Sequence, residues 1–138
     1  MAITRSDLQT LSRLRLREAK QLLGERLYPG AFYLAGYSIE CALKACIARR
    51  TRRSEFPDLN VVKRSYSHNL AELLEVAELG SKLKAAKDPA LEVNWNTVRD
   101  WNEHSRYNPR ITDVAARDLI KAISAPTHGV LSWLKKYW

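Results

Sequence analysis

The chain has 138 residues, 46% hydrophobic and 28% charged, which excludes a disordered polymer and bounds it to one globular domain, residues 1–138, able to bury a core without disulfides or metal. Only 5 Gly and 5 Pro leave few turn signals, so long helices are favoured over many short strands. The formal net charge of +8 points to acidic partners, nucleic acid first, with a merely basic surface as the alternative.

Residues 1–17 carry scattered charges and no apolar core, so they do not read as a signal peptide. A first helix is expected from a cap at Ser6 or Asp7 to about Gly24. Leu8, Leu11, Ala19, Leu22 and Leu23 form its buried side, and Arg13, Arg17 and Lys20 a solvated one. Tyr28-Pro29-Gly30 turns the chain, with Pro29 suited to start the next helix.

The second helix is expected over residues 30–51. Phe32, Ala35, Gly36, Ile39, Leu43, Cys46 and Ile47 recur at helical spacing, an amphipathic pattern, and Gly36 with its alanines permits a close neighbour. Glu40 falls inside this apolar stretch and requires a partner, an arginine or a backbone donor. Cys41 and Cys46, five apart, lie on different helix faces and read as reduced core thiols of a cytoplasmic protein. His68, His104 and His128 are scattered, so neither a metal site nor a cofactor is expected. No apolar run is read as reaching membrane-spanning length, and no membrane association is expected.

Arg49, Arg50, Arg52 and Arg53 close the second helix. They compensate its dipole or, with Lys63 and Arg64, form a phosphate-binding patch. Residues 54–67 read as a loop. A short helix over residues 69–79 follows, with capping-box spacing between Asn69 and Glu72 and an end at Gly80. After a linker with room for a helical turn, a fourth helix is expected over residues 90–105 and a last one from Thr112 or Asp113, carrying Val114, Leu119, Ile120, Ile123, Val130, Leu131 and Leu134 and kinked or split at Pro126. The fold class is therefore all-α, a single antiparallel bundle of four to five helices.

In the fourth helix Leu91, Trp95, Val98 and Trp101 make an apolar stripe. Arg99 and His104 fall on either side of it, facing out, with Asn96, Asp100 and Glu103 between them. Imidazole moves protons near neutral pH and guanidinium clamps phosphate. A ribose 2′-hydroxyl supplies an internal nucleophile, so such a pair suits metal-free phosphodiester chemistry. The plain alternative is a solvated face with an Arg99–Glu103 ion pair.

The run GAFYLAGYSIECALKA, residues 30–45, resembles the second helix of HEPN domains (higher eukaryotes and prokaryotes nucleotide-binding). His68-Asn69-Leu70 with Leu73 is similar to that family's third-helix start. Arg99-Asp100-Trp101-Asn102-Glu103-His104 matches its pattern of Arg, a polar residue, three residues and His. The resemblance covers roughly residues 15–135 and implies a helical bundle that forms a homodimer. It further implies a composite ribonuclease site at the dimer interface, cutting RNA without metal to a 2′,3′-cyclic phosphate. Carried over, His104 is the acid/base, Arg99 the phosphate clamp, and Asp100 orients either one. Members of this kind are toxins or defence effectors, often paired with a nucleotidyltransferase antitoxin. A non-catalytic module binding nucleotide, nucleic acid or that partner is the alternative. In one subgroup a tyrosine two residues after the histidine is modified. Here that position is Arg106 and the tyrosine follows at Tyr107, either a displaced modification site or a core or interface residue.

Overall fold

The structure is a computed structural model and describes residues 2–51, 55–56 and 58–138. Among the described residues the secondary structure is entirely helical: α1 (Arg5–Gly24), α2 (Tyr28–Arg50), α3 (Leu59–Ser65), α4 (Leu70–Val76), α5 (Gly80–Ala85), α6 (Pro89–Arg99), a 3₁₀ turn (Glu103–Tyr107), α7 (Asp113–Ser124) and α8 (Val130–Leu134). The all-α bundle stands. Four of its helices are long, α1, α2, α6 and α7, and short helices fill the stretches expected to be loop or linker at 59–65 and 80–85.

α1 starts one turn earlier than the sequence suggested. Thr4 is the cap, and a reciprocal box forms with Asp7: the Asp7 N–H donates to Thr4 Oγ1 at 3.1 Å, and the Thr4 N–H donates to Asp7 Oδ2 at 2.9 Å. The box expected at Asn69 is only half made. The Glu72 N–H donates to Asn69 Oδ1, but the Asn69 N–H donates to Ser67 Oγ, so Glu72 is left for Arg64. Neither Gly24 nor Gly80 caps a helix in the left-handed conformation. That conformation falls to Arg26, Glu78 and Lys87, just past α1, α4 and α5.

α2 is the axis of the bundle and packs against α1, α4, α7, α8 and the 3₁₀ turn. Residues 38–43 are buried without interruption, so α2 is covered on nearly all sides and is not the amphipathic helix its spacing suggested. Seen by length and composition alone it is also apolar enough to cross a membrane, contrary to the sequence reading, but 67% of that stretch is buried inside the bundle. It is therefore placed as a core helix. Small residues let α1 approach it: Ser12 and Ala19 are buried, and Ser12 Oγ donates to the Ser38 carbonyl at 2.7 Å.

α7 presents Ala116, Leu119, Ile120 and Ile123 to α2 and α6, whereas Val114, expected in the core, is 65% exposed at its first turn. Pro126 separates α7 from α8. Gly129 begins α8 where its Cα lies against the Ala125 carbonyl, 2.2 Å from where a Cβ would stand.

Cys41 and Cys46 are buried and free, as expected. Burial pushes their thiols up to about 11 and about 12. Glu40 is 3% exposed, and its expected partner proves to be a histidine and a lysine rather than an arginine. Oε1 lies 2.8 Å from His68 Nδ1, and Oε2 accepts from Lys44 Nζ at 3.3 Å.

Candidate functional site around Arg99 and His104

α6 is short for identifiable reasons. Asp88 caps it, accepting the Leu91 N–H at 3.1 Å, and Pro89 opens its first turn. Leu91, Trp95 and Val98 are buried, which anchors one face of the helix in the core. The helix stops at Arg99, six residues before the sequence reading ended it, and Asp100 is its C-cap.

Two residues account for the stop. Trp101 turns inward to 3% exposure and lies flat on Gly36 of α2, where a Cβ would stand 2.2 Å from indole Cδ2, Cε2 and Nε1. Asn102 is extended, and its Oδ1 accepts the His104 N–H at 2.8 Å, starting a new turn in competition with the old helix. The Tyr33 ring covers Trp101 with centroids 6.0 Å apart. Trp101 Nε1 and Ser105 Oγ are buried in this seat without a hydrogen-bond partner.

Arg99 and His104 therefore belong to two elements hinged on Trp101, not to opposite edges of one helix face. Both still point outward. His104 is 77% exposed, with Nε2 3.6 Å from Glu103 Oε1. Arg99 is exposed and makes no hydrogen bond or ion pair with another described residue. The expected Arg99–Glu103 pair is absent because the helix that would align them ends first. Asp100 is exposed between them.

Arg99 lines an open groove of about 770 Å³ between α4, α5 and α6, together with Trp95, Asn96, Glu72, Glu75 and Lys84. His104 is not part of that groove. Arg99 and His104 are thus both exposed, and only Arg99 lines this groove.

Tyr107 is 71% exposed, so it is not a core residue. The Arg106 guanidinium lies 4.8 Å from the centre of its ring, and the neighbouring Tyr107 and Tyr33 shift its pKa upward.

The basic residues singled out near the end of α2 have mixed fates. Arg52 and Arg53 lie outside the described residues. Arg50 is ion-paired with Glu78, and Arg64 with Glu72 and Glu75 at 3.2 and 2.8 Å. Arg49 donates to the Lys136 carbonyl at 3.3 Å. Lys63 is exposed on α3. Two of these six cations are thus already neutralised by carboxylates. Among the described residues no group of three or more His, Cys, Asp or Glu is placed to hold a metal ion.

Sequence reasoning missed the Glu40–His68 pair. The signal was there, since a carboxylate inside an apolar stretch demands a partner, but the partner comes from 28 residues away.

No curated protein and no solved structure matches the chain. The HEPN domain family model matches residues 10–137, nearly the whole length. That span includes the α2 run, the His68 segment and the Arg99–His104 segment, and the all-helical architecture agrees with it. The chain belongs to the HEPN domain family.

Proposed function

We propose that this protein is a metal-independent endoribonuclease of toxin or defence type, working as a homodimer. The observation that carries the reading is the pair Arg99 and His104 in a HEPN chain, both exposed and neither neutralised by a strong ion pair. In the proposed reaction the ribose 2′-oxygen attacks phosphorus and the bond to the 5′-oxygen breaks, leaving a 2′,3′-cyclic phosphate and a 5′-hydroxyl. His104 relays the proton between these oxygens, and Arg99 binds the phosphate oxygens as charge builds on them. Asp100, the next residue in the chain, orients either Arg99 or His104. A second copy of the chain brings its own Arg99 and His104 and closes the site, which a single chain leaves open.

The test is an assay on purified protein with structureless RNA and EDTA. Cleavage is expected from wild type and is expected to be lost in His104→Ala and Arg99→Ala, with a dimer seen by sedimentation. Undiminished cleavage in His104→Ala sinks the assignment.

A second reading draws on the separation of Arg99 and His104 into different surroundings. It is a non-catalytic module that binds a nucleotide, a nucleic acid or a partner nucleotidyltransferase. Salt-sensitive RNA binding without cleavage, in a protein that dimerises normally, selects this reading over the first.

A further inference from the structure

Among the described residues, five cations pair with carboxylates and the others do not. Arg15, Lys44, Arg50, Arg64 and Arg117 each pair with a carboxylate. Arg13, Lys82, Lys135 and Lys136 are four of the many without an ion pair to another described residue, and their position sets them apart. All four gather around the last residues of the chain, and three of them sit against aromatic rings. Lys82 Nζ is 5.5 Å from the Tyr137 ring centre, and Arg13 and Lys135 are 4.7 and 5.9 Å from that of Trp138.

Between α5 and the end of α8, this pole opens into a pocket of about 420 Å³. Lys82 and Lys136 line it with Tyr137, Trp133 and Asp88. Asp88 keeps its negative charge in this lining, and both its oxygens already have partners. Oδ1 accepts the Leu91 N–H at 3.1 Å, and Oδ2 meets His128 Nδ1 at 2.7 Å.

From this arrangement we propose that the pocket is a phosphodiester-binding subsite for single-stranded RNA, apart from Arg99 and His104. Ammonium groups receive a phosphate without a strict angle, and unpaired ones do so without first breaking an ion pair. The partly exposed ring of Tyr137 supplies a wall on which a base can stack. The volume lies within the usual range of small-ligand pockets, about 300–1,000 Å³. The proposal rests on the RNA-binding part of the function above and not on its chemistry. It places an RNA contact next to the end of α2, where Arg49 donates to the Lys136 carbonyl and where Arg50 and Arg64 are spent on carboxylates.

The experiment measures fluorescence anisotropy with a labelled oligouridine of about twelve nucleotides, long enough to fill a typical single-strand site. It is run in a His104→Ala background to suppress cleavage. Lys82→Gln with Lys136→Gln is compared with Arg17→Gln plus Lys20→Gln, which removes the same charge from the exposed side of α1. The pocket variant is expected to raise Kd about tenfold and to flatten the slope of log K against log salt by about 1.4, two contacts at about 0.7 each. The α1 variant is expected to change Kd by less than about twofold.

Equal losses in the two variants overturn the proposal, as does a wild-type affinity for anionic lipid vesicles without affinity for the RNA. Competition by inorganic phosphate as complete as that by unlabelled RNA assigns the pocket to a free anion and also overturns it. Cleavage of a dinucleotide, too short to reach from Arg99 and His104 to the pocket, separates the two ideas. If wild type cleaves it, the pocket variant is expected to do so at the wild-type rate. If wild type cleaves nothing but the pocket variant still loses RNA affinity, the catalytic reading falls and this one stands.

Discussion

Gly36→Ala is a demanding test of how the site is held. Two effects oppose each other. Alanine is favoured over glycine in a helix interior by about 1 kcal/mol. Against this, the new Cβ would stand 2.2 Å from three atoms in the middle of the Trp101 indole. Carbon atoms rest about 3.5–4.0 Å apart, so the ring must retreat by more than about 1 Å. Trp101 is 3% exposed with the Tyr33 ring 6.0 Å away centre to centre, so the indole shifts only by displacing its neighbours. Overpacking of this kind costs about 1–3 kcal/mol, and complete unseating approaches the scale of Trp→Ala, about 3–5 kcal/mol. The net expectation is a loss of about 1–3 kcal/mol, read by urea unfolding of both proteins under one buffer condition. Gly24→Ala is the control, because nothing lies within 4 Å of its Cβ position. It should be neutral or stabilising. In a Trp101→Ala background, Gly36→Ala should lose its cost, since the clash is gone. A stable Gly36→Ala protein with Trp101 fluorescence unchanged would refute the proposed seat, and with it the explanation of why α6 ends at Arg99.

Three further outcomes are expected. Because burial raises both thiols far above neutral pH, native protein should react with a thiol reagent such as DTNB only on unfolding. Rapid labelling of two thiols at pH 7 would contradict the burial of Cys41 and Cys46. Removing the imidazole by His68→Ala leaves the buried Glu40 carboxylate with Lys44 alone. Stability should fall by about 1–3 kcal/mol, and Glu40→Gln in that background should recover part of the loss, as measured by denaturant midpoints. Asp7 is held below its usual value by the Thr4 backbone N–H and hydroxyl, Glu72 by Ser67 and Arg64, and Asp88 by His128 and the Leu91 N–H. A depressed folded-state pKa adds stability that is complete above the unfolded value, near 3.8 for aspartate and 4.5 for glutamate. That stability disappears as pH falls through the lower folded value. Thermal melts of wild type and Asp88→Asn should therefore differ at pH 6 and converge toward pH 2, and a difference that widens on acidification would reverse the sign of this argument.

Much of the fold was legible from local pattern. The apolar positions Leu91, Trp95, Val98 and Trp101 are all buried, the break at Pro126 is real, and the family that the α2 run and the Arg99–His104 segment resemble is the one that matches residues 10–137. Those features depend on spacing and on short-range backbone chemistry, which neighbouring residues contain. Other features were decided by residues far apart in the chain. A helical wheel drawn through residue 104 assumed that the helix continued. Whether it does depends on Gly36, 65 positions before Trp101, offering a bare backbone for an indole to lie on. The same holds for Glu40, whose need for a partner was visible but whose choice of His68 was not. It holds as well for the basic residues, identical as letters, of which only packing separates Arg50 and Arg64, bound to carboxylates, from Lys82 and Lys136, left without them. Sequence by itself determined the all-helical class, the apolar stripe of α6 and the family. Tertiary structure decided which charges are free and where Arg99 and His104 stand, because ion pairing and close contact depend on distances in space that separation along the chain does not encode.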